Sequence, residues 1–269
     1  MRLAESGLGD AKCRLPDDWC YLCVVQAVAH PPSSPRGTLG AGIYPAGEAA
    51  RLAQLEPQRL RRWVAGYTFR GRTGERRSST PVFSNQARRD DEHLVLSFLD
   101  LIEACFVKVF LDHGVSLHTV RLVAEEAEAM FKTTHPFCVK KFETDGETIL
   151  ARLRDERADG GERLLDLKRK HFVFPAVFNP LLKTLDYATG GDAIRWWPRG
   201  KETPIVLDPT RAFGAAIVER SCVPTRALFD AHLAGESAES IAKWFRVDMN
   251  EARAAIAFEK SLRRSTPRA

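Results

Sequence analysis

The chain has 269 residues, 44% of them hydrophobic and 28% charged, with a formal net charge of +5. That length suits two domains, and the balance is ordinary for a globular protein. No stretch offers the roughly 18 consecutive apolar residues that a membrane span needs, so no membrane partner is expected. Cys13, Cys20, Cys23, Cys105, Cys138 and Cys222 are irregularly spaced in a long chain. They do not suggest a disulfide scaffold, and a reducing cytoplasm is the simplest compartment.

Residues 1–38 differ from the rest. A short apolar run, Cys20 to Ala29, is followed by Pro31-Pro32-Ser33-Ser34-Pro35. The run follows two aspartates and lacks a basic start and a small-residue cleavage site, so it is not a signal peptide. Cys20-x-x-Cys23 with Cys13 and His30 has no second pair at finger spacing, and no metal site is expected. The segment reads as a poorly ordered leader, or as sequence upstream of the true start codon, with residues 31–37 as its linker.

Next comes Ile43 to Phe83. Pro45 suits the first position of a helix, and Ala46, Ala49, Ala50 and Leu52 give that helix an apolar face. Gln54-Leu55-Glu56 breaks it, and Pro57 opens a second helix. Leu60, Trp63 and Val64 share one face there. Gln58, Arg59, Arg61 and Arg62 occupy the others, and their donors match base edges in the major groove. A basic hairpin should follow. Tyr67, Phe69, Val82 and Phe83 are expected to point inward, and Gly71 and Gly74 to make the turn. Arg70, Arg72, Arg76 and Arg77 are expected to meet phosphates.

Helix, turn, basic helix and hairpin is the order of a winged helix-turn-helix. Residues 57–80 hold seven arginines and one acid, Glu75, a net +6. The rest of the chain therefore sums to about −1, and the positive charge is concentrated at one place, as DNA contact requires. An ordinary solvated helical hairpin with a basic face is the competing reading. The run IYPAGEAARLAQLEPQRLRRW also resembles the DNA-binding start of MerR-like regulators.

Residues 90–113 suggest one long helix, with Leu94, Phe98, Leu101, Ile102, Cys105 and Val109 at helical spacing and Asp90 and Asp91 at its start. Gly114 ends it, and Ser116 caps a second helix with a stripe of Leu117, Val120, Val123, Ala124, Ala127 and Phe131. This pair either builds a homodimer or completes the core. His93, His113, His118 and His135 form no metal-binding pattern and read as helix-end or polar-face residues. Residues 137–215 read as mixed strand and turn. Asp145-Gly146 suggests a hairpin, and Gly190-Gly191 a plain turn. Phe172 to Phe178 is an aromatic run broken by Pro175, and Arg195-Trp196-Trp197 reads as a strand. Asp145, Asp186 and Asp192 are scattered across turns, without the pairing that would hold a catalytic metal, so no enzyme is expected.

From Pro204 the order is strand (Ile205-Val206-Leu207), Asp208-Pro209 turn, strand (Ala216-Ile217-Val218), then helices near 225–233, 238–245 and 249–260. Gly235 ends the first helix and Ser237 caps the second. Ile241, Trp244, Phe245, Val247, Ala252 and Ile256 are the expected shared core. Asp208-Pro209, Gly214, Val223-Pro224-Thr225 and Gly235-Glu236-Ser237 resemble the short domain of unknown function found in VapB-type antitoxins. That resemblance implies an antitoxin which binds its own operator DNA, usually as a dimer, and neutralises a PIN-domain (VapC-like) ribonuclease toxin. Any magnesium and catalytic carboxylates would belong to that toxin.

On the last helix Asn250, Glu251, Arg253, Ala254 and Ala257 are expected outward, with Asn250 and Arg253 a secondary DNA or partner contact. Electrostatics ranks the first helix-turn-helix above this one. The expected fold is mainly α (α+β). It divides into residues 1–38 (leader), 40–135 (winged helix-turn-helix plus long helices), 136–202 (mixed connecting region) and 203–262 (antitoxin-like three-helix unit). A stand-alone MerR-like regulator without a toxin is the alternative function.

Overall fold

The computed structural model describes residues 42–71, 73–82, 89–90, 93–156 and 174–264. The leader, with its cysteines and His30, lies outside them, as do Arg72, Phe83, Asp91, Phe172 and Val173. The chain starts with a two-residue strand β1 (Tyr44–Pro45), then α1 (Ala46–Leu52) and α2 (Pro57–Ala65). A hairpin of β2 (Tyr67–Arg70) and β3 (Arg76–Ser79) follows, then β4 (Arg89–Asp90) and β5 (His93–Leu96). β1 pairs with β5 and β5 with β4, all antiparallel. The strand that enters the helix-turn-helix is thus held by the strand that leaves the hairpin.

The long helix is shorter than its spacing suggests. Residues 93–96 form β5, and α3 spans Phe98–Asp112. Its start is set by Ser97 and Asp100, not by Asp90 and Asp91. The Ser97 hydroxyl accepts from the Asp100 N–H at 3.1 Å, and the Asp100 carboxylate accepts from the Ser97 N–H at 2.8 Å. This capping box satisfies two backbone donors that the first turn leaves unpaired. Ser116 caps α4 (Leu117–Phe131) as expected. α3 is buried on almost every side, from Phe98 through Phe110. Its apolar surface completes this chain's own core.

Two stretches expected as strand and turn are helical: α5 (Lys141–Glu156) and α6 (Phe174–Leu182). Asp145-Gly146 lies within α5, not in a hairpin. Phe142, Ile149, Leu150 and Leu153 are buried and recur at helical spacing, and that packing outweighs the roughly 1 kcal/mol cost of a glycine inside a helix. Phe106, Phe110, Phe137, Phe142 and Phe178 meet at this centre, with Phe110 and Phe178 edge to face at 4.6 Å. His135, expected on a polar face, is instead buried and lies 3.0 Å from Asp100 Oδ1. Among the described residues no histidine, cysteine or carboxylate cluster could hold a metal.

The chain closes with an antiparallel meander of β6 (Leu185–Tyr187), β7 (Ala193–Trp196), β8 (Ile205–Leu207) and β9 (Ala216–Val218). Gly190 and Gly191 form the turn between β6 and β7, as read from the sequence. α7 (Thr225–Leu233), α8 (Ala238–Phe245) and α9 (Met249–Arg264) end it, with Ser237 capping α8. The fold is mixed α and β and mainly helical, as expected. Asp208 organises the sheet end. Burial would raise its pKa, but the Thr210 hydroxyl and N–H, then Arg211 and Arg195, hold it below the ordinary aspartate range. Asp186 is likewise engaged, accepting from Trp197 Nε1 at 2.8 Å and Lys201 Nζ at 2.6 Å.

One hydrophobic cluster runs from Tyr44 to Leu262. β1 touches the turn between β8 and β9 directly. The Tyr44 hydroxyl donates to the Gly214 carbonyl at 2.7 Å, and the Ile43 N–H to the Phe213 carbonyl at 3.2 Å. Gly214 has φ +86, and a Cβ there would sit 2.4 Å from the Tyr44 hydroxyl, so no larger residue fits. Beside this contact Arg51 on α1 reaches Glu259 on α9 at 2.6 Å. Glu259 also accepts from the Thr225 hydroxyl at 2.6 Å.

Removing one partner of a buried ion pair strands the other charge. Arg51→Ala should therefore destabilise the protein by about 3 kcal/mol, read as a lower urea midpoint at unchanged slope. A midpoint equal to wild type would show that Glu259 needs no cation.

Candidate nucleic-acid interface

The interface is built on α1 and α2. α1 begins after Pro45 and buries Ala46, Ala49, Ala50 and Leu52. The turn at 53–56 follows, and Pro57 opens α2. Leu60, Trp63 and Val64 are buried on one side of α2, as their spacing predicts. Gln58, Arg59, Arg61 and Arg62 are all exposed on the other sides. The Arg59 guanidinium lies 5.1 Å from the centre of the Trp63 ring, and that of Arg62 lies 5.7 Å from the Tyr67 ring. Both contacts orient an arginine without neutralising it.

The hairpin continues this surface. Gly66 joins α2 to β2 with φ +69 and ψ 178, a region open only to glycine. A Cβ there would lie 2.5 Å from the Ser79 carbonyl. The turn is closed by the Gly71 N–H on the Glu75 carbonyl at 2.8 Å and the Gly74 N–H on the Gly71 carbonyl at 3.0 Å. Arg70, Arg76 and Arg77 are exposed on the two strands. Arg77 meets Glu75 at 2.7 Å. The Thr73 hydroxyl, then Arg77, holds the Glu75 carboxyl below its ordinary pKa, so the single acid of the strip stays ionised. Among the described residues, Arg59, Arg61, Arg62, Arg70 and Arg76 have no carboxylate partner.

Tyr67 and Phe69 are not the inward residues of this hairpin. They are 38% and 43% exposed, because a two-stranded ribbon has no core of its own to cover them. Val82 is buried, as expected, but lies beyond β3. Its N–H donates to the Trp63 carbonyl at 2.8 Å and ties the end of the hairpin to α2. Arg121 of α4 is a contributor that the sequence does not reveal. It donates to the Ser79 hydroxyl at 2.8 Å, the Thr80 carbonyl at 2.7 Å and the Pro81 carbonyl at 3.2 Å. Only the folded chain brings a residue some 40 positions away to the hairpin's base.

The C-terminal candidates are poorer. Asn250 and Arg253 are exposed on α9. Glu251, expected outward, is buried, and its carboxylate accepts from the Asp248 N–H at 3.0 Å to cap the helix. Trp244, expected in the core, is 62% exposed on α8. The other side of that helix, Ile241 and Ala242, supplies the buried contact instead. The two buried cysteines, Cys105 and Cys138, are not reactive thiols. Burial pushes the Cys105 thiol up to about 12 and that of Cys138 well above its ordinary value, which keeps both protonated.

Comparison with known proteins agrees with this layout. Residues 42–123 match a family described as "Putative DNA-binding HTH domain", and residues 205–258 match "Protein of unknown function (DUF433)". The first match runs from the segment before β1 through the hairpin to Arg121 and the start of α4. The chain is 22% identical over 224 residues to a Mycobacterium tuberculosis protein named "Putative antitoxin VapB45", covering 80% of this chain and 92% of that one. It superimposes on the crystal structure of Rv2018 from Mycobacterium tuberculosis with a TM-score of 0.65 at 20% identity, over 79% of this chain and 96% of that chain. The fold is thus shared across most of both molecules.

Gly66→Ala should cost about 1–3 kcal/mol and release the hairpin from α2. Hydrogen exchange would show it as lost protection at residues 67–70 and 76–79, with α3 and α4 unchanged. Full protection in the variant would mean that the junction tolerates a side chain.

Proposed function

We propose that this chain is a DNA-binding antitoxin of a type II toxin–antitoxin pair, which binds its own operator and neutralises a PIN-domain (VapC-like) ribonuclease. The observation that carries the DNA half is the exposed basic surface of α2 and the hairpin, where Arg59, Arg61, Arg62, Arg70 and Arg76 have no carboxylate partner among the described residues. In this reading α2 enters the major groove. Gln58, Arg59, Arg61 and Arg62 face base edges and neighbouring phosphates, while Arg70, Arg72, Arg76 and Arg77 extend along the backbone as a wing. The reading is of a cytoplasmic homodimer on a two-fold operator, since paired half-sites match paired subunits. It assigns the chain no catalytic step.

The antitoxin half is supported by the relative named as an antitoxin and by what the C-terminal unit offers. Residues 203–262 carry seven Lys/Arg against eight Asp/Glu, so the unit is not basic overall, and it exposes Trp244, a residue type frequent in protein contacts. In this division of labour residues 40–135 read DNA, 136–202 connect, and 203–262 meet the toxin, with Asn250 and Arg253 at most a secondary contact.

Substituting alanine at Arg59, Arg61 and Arg62 together should weaken binding to DNA from upstream of the protein's own coding sequence by about a hundredfold or more. The slope of log affinity against log salt should fall by about 2 to 3. Arg253→Ala should change both much less. Gel shifts at several salt concentrations decide, and an undiminished triple variant would refute the DNA reading. Co-expression with the adjacent gene product should yield a stable complex of the two chains in which ribonuclease activity is suppressed. If this chain binds the upstream DNA but no neighbouring ribonuclease copurifies, it is a stand-alone regulator.

A further inference from the structure

We propose that the β2–β3 ribbon, beyond touching phosphates, selects and distorts DNA, with the rings of Tyr67 and Phe69 acting as a wedge at deformable base steps. The inference rests on the DNA-binding reading above and adds a specificity element to it. It begins with strand register. Residues directly opposite in an antiparallel pair lie on the same face. Tyr67 stands opposite Ser79 and Phe69 opposite Arg77, while Thr68 stands opposite Ser78 and Arg70 opposite Arg76. The ribbon therefore has two unlike faces. One carries two hydroxyls and two arginines, which is the chemistry of phosphate contact. The other carries two aromatic rings beside Arg77 and Ser79.

Phosphate contact does not account for the aromatic face. The two ring centroids lie 5.7 Å apart, so the rings form one continuous apolar surface. Exposed apolar area of this kind is costly in water and is relieved by a partner. The location says which partner. Arg62 of α2 lies over the Tyr67 ring, so the aromatic face is continuous with the basic face of the helix. DNA held by α2 would meet these rings next. The ribbon is also fixed in direction. Arg121 grips its base, the Val82 N–H ties it to Trp63, and Gly66 sets the exit angle from α2. A rooted ribbon with apolar side chains can press between base pairs at little entropic cost. Such wedges act in the minor groove and favour TA and CA/TG steps, which unstack most easily.

The test uses the full chain and a duplex from upstream of its own coding sequence, labelled at both ends. Wild type should shorten the end-to-end distance in energy-transfer measurements. It should also prefer that duplex by about tenfold over one whose TA and CA steps are replaced by AA. Tyr67→Ser with Phe69→Ser should leave the DNA straight and erase the preference, while retaining affinity for the AA-substituted duplex within about threefold and an unchanged salt slope. Both positions are exposed, so folding should survive, and circular dichroism checks it. Bending and preference equal to wild type in the variant would overturn the inference. So would a loss of affinity that is uniform across sequences, or tighter binding by wild type to the single strand than to the duplex. Wild-type binding without bending would overturn this inference alone, whereas absence of duplex binding would overturn the functional reading as well.

Discussion

Glu259 sits on the last helix with almost none of its side chain in water, and a carboxylate there must have a cation. That cation is Arg51, on the first helix. Burial alone would lower the arginine's pKa, but Glu48 and Glu259 together raise it, so the charge is secure. Because the pair is buried, its geometry cannot drift as a surface ion pair can. It sets where α1 lies on α9. α2 then follows through the packing of Leu60, Trp63 and Val64, and the hairpin follows α2 through Gly66 and Val82. The orientation of every arginine in the basic strip is thus referred back to the C-terminal helices. Tyr44 adds a second fastening at Gly214, so β1 and α1 are joined to the C-terminal unit at more than one point.

Charge is handled differently inside and outside. In the interior each described charge has a defined partner or is suppressed. Asp208 has Thr210, Arg211 and Arg195, and Asp100 has Ser97 and His135. Burial pushes the Glu103 carboxyl well above its ordinary pKa, which favours the neutral acid. On α2 and the hairpin Arg59, Arg61, Arg62, Arg70 and Arg76 are instead left against water or across an aromatic ring, and of the described arginines there Arg77 alone meets a carboxylate, Glu75. An unpaired cation in water gains nothing for stability, but it keeps its full attraction for a polyanion. The contrast separates charges that hold the fold from charges that the fold does not use.

The central helices carry a different constraint. Five phenylalanines from α3, the 3-10 turn at Pro136–Cys138, α5 and α6 converge there, and the Val139–Asp192 bridge ties this centre to the sheet. With α3 enclosed on nearly all sides, the described part of the connecting region shares one hydrophobic cluster with the helix-turn-helix and the C-terminal helices. The helix-turn-helix is therefore presented on a rigid support, and Arg121 extends that support to the base of the hairpin.

What the sequence determined by itself was local. Pro45, Pro57, Ser116, Ser237 and Gly235 mark helix ends because backbone donors and torsions at those points admit few residues. The apolar spacing of α1 and α2 sets their buried sides, and the density of arginine between 57 and 80 marks the charged surface. All of these depend on neighbours within about one turn of helix. Tertiary structure decided whatever required a distant partner. Asp145-Gly146 became helical because Phe142 and Ile149 found the phenylalanine cluster. Tyr67 and Phe69 faced outward because alternation places them on one side of a ribbon but cannot say which side is covered. Trp244 was left in water and Glu251 was buried because α8 and α9 turned their other residues toward the core. The link from Arg51 to Glu259 spans 208 positions, and neither residue carries any local sign of the other.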